Sequence, residues 1–311
     1  MRSIGIELSP FNVLIQKVKT AKYDIDLVEK EIEDALMRVS LFSKFYVSNN
    51  GHKRLFNDDI QLFKTNSDYL KEWFAERTLQ ELLYYRSIIS DYENQDILKI
   101  ILSRSARSVR LISHYDLARP KKPIRGEYWC IKHNRVCKPI EEALKYIKRY
   151  SLDTIERLKE FDRIRSKVSI RIIQGDARVV HLPTRTKING IFTSPPYVGV
   201  IDYHEQHRYA YELFEFPRQD ELEIGPAFKG QTRKAKEDYI EGIVAVFNNF
   251  AKYLKRNAQI FIVANDKHNL YPEIGKRCGY SLIETFQRPV LMRTERDENR
   301  YFESIFFFIK E

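Results

Sequence analysis

The stretch INGIFTSPPY, residues 188–197, places a short apolar run directly before two prolines and a tyrosine. An apolar run of this length, followed by turn residues, predicts a β-strand that ends in Ser194–Tyr197. Two consecutive prolines fix φ and remove two amide donors, so the chain must leave the sheet in a rigid corner. The carbonyls of Ser194 and Pro195 and the flat ring of Tyr197 are then held at the end of the strand.

The chain around this corner alternates between apolar strands and amphipathic helices. We predict strands over 168–177, 188–197, 258–266, 281–290 and 303–310, with helices over 236–255 and 270–280. At the start of the chain, residues 3–7 (SIGIE) form a further predicted strand, and Ser9 and Pro10 then begin a helix that runs to about Lys19. This alternation predicts an α/β fold with a largely parallel sheet.

The intervening stretch has a different pattern. Residues 24–115 contain few glycines or prolines and repeat apolar residues every three or four positions, which predicts helices. Residues 116–140 are rich in proline, basic and aromatic residues and indicate an irregular connector or a small module. A further helix is predicted from about Pro139 to Phe161.

These patterns predict three parts of the chain. Residues 1–20 begin the sheet domain, residues 21–164 form a mostly helical insertion for DNA recognition or partner docking, and residues 165–311 complete the sheet domain. The chain has neither an internal repeat nor a low-complexity tract.

Acidic side chains follow two of the predicted strands. Glu7 ends the strand at 3–7, and Asp176 follows the next strand in the stretch QGDAR. Open α/β sheets bind ligands beyond the carboxyl ends of their strands, where a carboxylate can accept hydrogen bonds from a ribose or from an adenine amino group. Each acid taken alone is equally compatible with an ordinary structural carboxylate.

The corner itself suits an amino group on a planar base. Ser194 and Pro195 offer fixed hydrogen-bond acceptors beside the stacking surface of Tyr197. Such an amine is a poor nucleophile because its lone pair is delocalised into the ring. Hydrogen bonds from its N–H groups to fixed acceptors favour the pyramidal nitrogen that can attack an electrophilic methyl group. A merely proline-stiffened strand end is the alternative interpretation.

Taken together, these motifs resemble those of the amino-group DNA methyltransferases, which methylate cytosine N4 or adenine N6. TSPPY at 193–197 resembles the family's catalytic motif, IGIELSPFNVLIQKVKT at 4–20 its second motif, and IIQGDAR at 172–178 its third. The resemblance covers residues 1–20 and 165–311. It implies a Rossmann-like S-adenosylmethionine-dependent sheet with an antiparallel final strand, and a target base that is flipped out of the DNA.

The resemblance also implies a role for each matching residue. The implied catalytic residues are Ser194, Pro195, Pro196 and Tyr197, and the implied residues of the S-adenosyl-L-methionine site are Glu7, Asp176, Ser9 and Thr193. In this family the acid corresponding to Glu7 holds the cofactor ribose, and the one corresponding to Asp176 contacts its adenine. Serine at the first position of the tetrapeptide favours cytosine N4 over adenine N6.

One element of the family is missing from this chain. The glycine-rich cofactor loop is absent, since no Gly-x-Gly occurs anywhere in the sequence. A second polypeptide or a missing N-terminal segment can supply the first strand and this loop, and a decayed gene copy is the third explanation. We therefore expect an incomplete sheet with an unpaired edge beside the strand at 3–7, and weak cofactor binding by the chain alone.

Other functions remain open at this point. An RNA amino-methyltransferase on the same fold is the alternative within the enzyme class, although no RNA-binding module is evident. A non-catalytic DNA-binding or assembly subunit is the alternative outside that class. Substitution of Ser194 separates an enzyme from a scaffold, because only the enzyme depends on that hydroxyl.

Cys130, His133 and Cys137 are spaced as C-x2-H-x3-C within YWCIKHNRVC. Thiolates and an imidazole at this spacing are candidate zinc ligands, and His114 is a conceivable fourth. Zinc sites usually show four ligands in paired spacing, so a pair of ordinary cysteines in a buried loop is the alternative.

The net charge suits a polyanionic partner, and a generally basic surface kept for solubility is the alternative. The chain has 53 Lys and Arg against 43 Asp and Glu, a formal net charge of +10. Residues 119–149 concentrate basic side chains among Tyr128, Trp129 and Tyr146, which makes this segment our candidate for DNA contact, with a solvated charged helix as the alternative. The sequence lacks a signal peptide and a membrane span, and its three cysteines predict a reducing cytoplasm.

The segment after the corner, IDYHEQHRYAYELFEF, predicts one helix with Tyr203, His207 and Tyr211 on one face. By resemblance, it covers the target-base pocket. His204 and His207 are better explained as structural or phosphate-facing residues than as catalytic bases, since a methylated amine loses its proton easily.

Overall fold

The computed structural model of the protein describes residues 2–51, 62–114, 120–290 and 301–311. The strands in these ranges are β1 (Ser3–Glu7), β2 (Tyr128–Cys130), β3 (Arg135–Cys137), β4 (Ile170–Gln174), β5 (Ile188–Thr193), β6 (Leu254–Ala264), β7 (Tyr280–Val290) and β8 (Tyr301–Lys310). The α-helices are α1 (Pro10–Thr20), α2 (Ile25–Gly51), α3 (Asp68–Trp73), α4 (Glu76–Ile88), α5 (Gln95–Val109), α6 (Leu144–Ile164), α7 (Tyr203–Gln206), α8 (Arg208–Phe214), α9 (Arg233–Ala251) and α10 (Tyr271–Arg277). Short 3₁₀ helices lie at Ile89–Asp91, Asp220–Leu222 and Ala227–Lys229.

The chain divides into two compact units. The first unit contains Met1–Gly5, Pro10–Ile172 and Gln206–Arg218, and the second contains Ile6–Ser9, Ile173–Glu205 and Gln219–Glu311. This division differs from the predicted boundaries of 1–20, 21–164 and 165–311. Helix α1 belongs to the helical unit because its apolar face, with Phe11, Leu14 and Val18, joins that unit's hydrophobic core.

The first unit is mostly helical, as the apolar spacing over 24–115 predicts. Helices α2 to α5 occupy this stretch, whereas residues 52–61 and 115 lie outside the described part of the chain. Helix α6 begins at Leu144 rather than near Pro139. Its start is set by the buried Glu81 carboxylate, which accepts from the backbone N–H groups of Ala143 at 2.5 Å and Leu144 at 2.9 Å. A carboxylate from another helix thus caps α6, which local sequence does not reveal.

The second unit is built on a four-stranded sheet in the order β5-β6-β8-β7. Strands β5 and β6 are parallel, and β8 runs antiparallel to both of its neighbours. Gly190 is required in β5, because a Cβ there would lie 2.2 Å from the carbonyl oxygen of Gln259 in β6. The close approach of these two strands therefore depends on a missing side chain.

One face of this sheet is well covered. Ile260 and Ile262 of β6 and Phe306 and Phe308 of β8 are buried there in a single core with residues of α9 and α10. On the opposite face, Phe192, Phe261 and Phe307 form a row across three strands. Phe192 at the end of this row is 78% exposed. Phe261 and Phe307 in the same row are half-buried, so among the described residues this face is less covered than the opposite one.

Strands β1 and β4 form a separate two-stranded sheet. Backbone hydrogen bonds join Ser3 to Ser169 at one end and Gly175 to Glu7 at the other, so the two strands run parallel. Within the described residues, β1 has β4 as its single sheet neighbour and β5 has β6. A two-stranded sheet is marginally stable by itself, and each of these strands keeps an edge that can accept another strand.

The predicted single helix after the corner is wrong. The segment forms two short helices, α7 and α8, interrupted at His207, and α7 lies largely in the second unit while α8 belongs to the first. The four-residue spacing of Tyr203, His207 and Tyr211 therefore does not define one helix face. The break lies at the boundary between the two units, which hydrophobic spacing alone cannot indicate.

The connector at 116–140 contains a structure that the sequence does not predict. Strands β2 and β3 form a small antiparallel hairpin within it. None of the helices in the described ranges is both long and apolar enough to cross a membrane.

Candidate active site

The corner after β5 combines a buried proline with an exposed serine. Strand β5 ends at Thr193, four residues before the predicted end at Tyr197, and Ser194 directly beyond it is exposed. Pro195 is buried, and Tyr197 is half-buried against the second unit's core. The buried part of the corner is therefore held by the core, and Ser194 lies at the surface.

The second proline is held by a tyrosine of α9. The hydroxyl of Tyr239 donates to the Pro196 carbonyl at 2.8 Å and lies 2.6 Å from the hydroxyl of Tyr271. Burial raises the pKa of Tyr239 well above its usual value, so this hydroxyl keeps the proton that it donates. The Pro196 carbonyl is thus occupied from within the protein, whereas Ser194 remains on the surface.

The tyrosine of the corner is tied to β8. Its hydroxyl donates to the carboxylate of Glu303 at 2.7 Å, and Arg288 of β7 forms an ion pair with the other oxygen of that carboxylate. Glu303 is 8% exposed. A buried carboxylate with both a hydroxyl and a guanidinium partner is a rigid anchor, so the ring of Tyr197 is oriented by tertiary contacts.

The two predicted acids lie at neighbouring strand ends. The Gly175 amide, next to Asp176, donates to the Glu7 carbonyl at 2.9 Å. The Glu7 carboxylate also accepts from the backbone N–H of Ser9 at 2.9 Å, and Ser9 is buried. The structure thus brings Glu7, Ser9 and Asp176 together at the carboxyl ends of β1 and β4.

Asp176 is held by Arg178. The Arg178 guanidinium donates to both oxygens of the carboxylate at 2.7 to 3.0 Å, and its backbone N–H adds a hydrogen bond at 2.9 Å. Burial works to raise the pKa of Asp176, but these hydrogen bonds and the arginine charge outweigh it and hold the pKa below its usual value. Asp176 is therefore a carboxylate at neutral pH, with an acceptor capacity already shared with Arg178.

The remaining polar residues near the corner have structural contacts. His204 is buried and pairs with Glu223, which also accepts from the backbone N–H groups of Tyr203 and His204 at 3.1 and 2.8 Å. Asp202 accepts from the Phe228 amide at 3.1 Å. These partners agree with the prediction that His204 is structural.

The candidate metal ligands lie in the first unit. His114, Cys130, His133 and Cys137 each place a ligand atom within 4.8 Å of the others. The hairpin β2–β3 carries the cysteines and His133 between them, while His114 follows α5.

Several residues of the site are not evident in the sequence. Tyr239, Glu303, Arg288 and Glu223 hold the corner and its surroundings, yet they lie far from it along the chain. Glu303 gives one usable signal, since it is a lone acid beside the apolar run SIFFFI. The sequence places Arg178 two residues after Asp176, but it does not indicate that the two side chains form an ion pair.

Replacement of Asp176 by asparagine tests the charge at this site. We expect Asp176→Asn to lower the free energy of unfolding by about 1–2 kcal/mol at pH 7, because a charge-assisted pair with Arg178 is lost. Since the folded-state pKa is depressed, the stability from this group persists at neutral pH and fades only below the ordinary aspartate pKa of about 3.9.

The measurement is urea unfolding of both proteins between pH 7 and about pH 3. A difference that is constant down to about pH 4.5 and shrinks as the pH falls further supports the depressed pKa. A difference that does not change below about pH 4 contradicts it.

Comparison with known proteins gives one close relative. No family model matches the chain. The type II methyltransferase M.MjaII of Methanocaldococcus jannaschii is 41% identical over 374 residues, which cover 98% of this chain and 70% of that protein. Because this alignment is longer than the 311 residues of the chain, the relative carries additional residues inside the aligned span.

Two solved structures show weak similarity. TrmN from Thermus thermophilus matches with a TM-score of 0.27 and 14% identity over 52% of this chain and 34% of its own. A methyltransferase from Pyrococcus furiosus matches with a TM-score of 0.24 and 15% identity over 53% of this chain and 58% of its own. The matches span less than two thirds of either solved chain. The identity to M.MjaII, which extends over nearly the whole chain, shows that this protein belongs to the type II methyltransferase family.

Proposed function

We propose that this chain is the catalytic part of a site-specific DNA methyltransferase that methylates an exocyclic amino group, with cytosine N4 favoured over adenine N6. The observation that carries the proposal is the Ser194–Tyr197 corner. It lies at the carboxyl end of a parallel strand, and internal hydrogen bonds fix its backbone in a chain of the methyltransferase family.

In this proposal the corner positions the amino group. The Ser194 hydroxyl and the Pro195 carbonyl accept its two N–H bonds, and the ring of Tyr197 stacks on the base. Two fixed acceptors favour the pyramidal nitrogen of the transition state over the planar ground state. The amine proton leaves after methylation without a strong base, which agrees with the structural role of His204.

S-adenosyl-L-methionine supplies an electrophilic methyl group when it is bound. The carboxylates of Glu7 and Asp176 fit the polar groups of such a ligand, because both lie at the carboxyl ends of β1 and β4 beside the buried Ser9. In the proposal, Glu7 accepts from ribose hydroxyls, Asp176 from the adenine amino group, and Thr193 lies at the near edge of the site. Arg178 shares the carboxylate of Asp176, so adenine contact uses the acceptor sites that Arg178 leaves.

A groove in the first unit supports DNA as the substrate. A cavity of about 700 Å³ is lined by basic side chains together with two tyrosines, and no acidic residue of the described ranges lines it; the basic ones are Lys132, Arg135, Lys138, Lys145 and Arg149. Positive charge beside Tyr146 and Tyr150 suits phosphate contact combined with stacking. This groove overlaps the second part of the basic segment 119–149, from residue 132 onward, whereas Arg119 lies outside the described ranges.

The sheet of the second unit supports an additional polypeptide element. Strand β5 has one open edge among the described residues, and the exposed Phe192 ends a phenylalanine row on the half-covered face. We propose that an apolar strand, followed by a glycine-rich turn and a helix, docks here from a second polypeptide or another segment. The strand pairs with β5, and the helix covers the row. The turn then completes a cofactor site for which this chain has no Gly-x-Gly.

A methyl-transfer assay with Ser194→Ala tests the catalytic proposal. We expect this variant to lower kcat by about 10- to 100-fold with little change in DNA affinity, because its hydrogen bond matters most in the transition state. Tyr197→Phe is the matched control at the corner, since it keeps the stacking ring and removes the hydroxyl that donates to Glu303. Tyr197→Ala loses both the stacking ring and the hydroxyl that donates to Glu303.

The same assay identifies the product. Labelled methyl groups are transferred to DNA, the DNA is hydrolysed, and the methylated bases are separated by mass. N4-methylcytosine agrees with the favoured proposal, and N6-methyladenine with its alternative. Full activity of Ser194→Ala, or methylation only at a ring carbon or in RNA, contradicts the proposal.

Calorimetry with S-adenosyl-L-methionine tests the docking element. We expect the chain alone to bind with a Kd weaker than about 100 µM, and at least tenfold more tightly with the product of the gene immediately upstream. Phe192→Asp abolishes this gain without changing the stability of the chain alone, because Phe192 is exposed. Micromolar affinity of the isolated chain contradicts the proposal.

Substitutions in the groove test DNA contact. The double variant Lys145→Ala and Arg149→Ala lowers DNA affinity about tenfold and reduces the slope of log K against log salt by about 2, since two phosphate contacts are lost. Lys148→Ala is the matched control, because Lys148 is exposed on the same helix but does not line the groove. Equal slopes for the double variant and the wild-type chain exclude the groove as the DNA contact surface.

A further inference from the structure

We propose that His114, Cys130, His133 and Cys137 bind one Zn²⁺ ion that fixes the β2–β3 hairpin to the end of α5. The proposal concerns the first unit only and does not depend on the proposed methyl transfer. The structure brings His114, the conceivable fourth ligand of the sequence analysis, together with the three ligands that the C-x2-H-x3-C spacing indicates.

The distances among the ligand atoms match a tetrahedral site. Zinc lies about 2.3 Å from a thiolate and about 2.0 Å from an imidazole nitrogen, so a sulfur and a nitrogen on one tetrahedral ion lie about 3.6 Å apart. Cys130 Sγ lies 3.6 Å from His133 Nδ1, and Cys137 Sγ lies 3.5 Å from the same atom. Cys130 Sγ lies 3.7 Å from the ring of His114.

The hairpin brings its three ligands together by register. Cys137 lies opposite Tyr128, two residues before Cys130, so both thiols project from one face of the hairpin. His133 sits in the connecting turn, where its amide donates to the Cys130 carbonyl at 3.2 Å and the next residue, Asn134, has φ of 48°. This turn places the imidazole of His133 next to the two sulfurs.

The fourth ligand is oriented from outside the cluster. The hydroxyl of Tyr128 lies 2.8 Å from Nδ1 of His114, and it accepts from the His114 backbone amide at 3.1 Å. In the proposal, this hydrogen bond at Nδ1 fixes the ring and leaves Nε2 of His114 as the metal ligand, because the other ring nitrogen of a metal-binding histidine commonly makes such a bond. The ring of His114 is therefore held beside Cys130 by the same hairpin that carries the thiols.

The hairpin needs such a link because it has little core of its own. Each of its strands has three residues, and two-stranded hairpins of this size are marginally stable in water. Trp129, Ile131 and Val136 are 60%, 64% and 55% exposed, so apolar packing does not cover these side chains. Yet Cys130 is fully buried at the ligand cluster. A metal ion supplies the missing cohesion, as it does in other small cysteine- and histidine-rich modules.

Metal analysis of the purified full chain tests the site. We expect about one zinc per chain by mass spectrometry of the metal content, and less than about 0.2 in Cys137→Ser and His133→Ala. Cys278→Ser is the matched control and keeps its zinc, because Cys278 is also a free cysteine but lies in the other unit.

Cobalt substitution of the wild-type chain keeps the test decisive even if a ligand variant fails to fold. Co²⁺ bound to two thiolates in a tetrahedral site gives visible ligand-field bands and thiolate charge transfer, which Zn²⁺ then displaces. Zinc below about 0.1 per chain together with absent cobalt bands overturns the proposal and leaves the cluster as thiols in contact with imidazoles. Equal loss of zinc in Cys278→Ser also overturns it.

Discussion

The geometry of the corner depends on side-chain hydroxyls, because its prolines cannot join a strand ladder. Pro195 and Pro196 have no amide hydrogen, so neither can donate to a neighbouring strand. The Tyr239 hydroxyl on the Pro196 carbonyl and the Tyr197 hydroxyl on Glu303 fix the corner instead, across 43 and 106 positions of the chain. Helix α9 and strand β8 thereby hold the corner in place through these two contacts.

The opposite face of the same sheet carries the proposed docking surface. The open edge of β5 and the exposed Phe192 lie on the strand that ends at Thr193, which directly precedes the corner. Pairing of that edge buries apolar surface and satisfies backbone groups at once. Assembly and cofactor binding would therefore be coupled through β5, and the anchors Tyr239 and Glu303 would stay in place.

In the first unit, the ligand cluster and the basic groove share residues. His114, His133 and Cys137 of the ligand cluster also line the basic groove, together with Lys145 and Arg149 of α6. A bound metal ion would fix one wall of this groove, while the Glu81 cap fixes the start of α6 that forms another. The proposed metal site and the proposed DNA contact surface thus share a structural basis, although separate measurements test them.

The sequence by itself determined the strand ends and the residues that follow them. Apolar runs ended by Glu7, by Gly175-Asp176 and by Ser194-Pro195 are local signals, and β1, β4 and β5 end close to where these residues predict. Only the tertiary structure decided which distant residues hold these ends, where the helix after the corner breaks, and that His114 joins the cysteines. Contacts such as Tyr197 to Glu303 join residues far apart in the chain and leave no periodic signal, whereas strand ends are set by neighbouring residues.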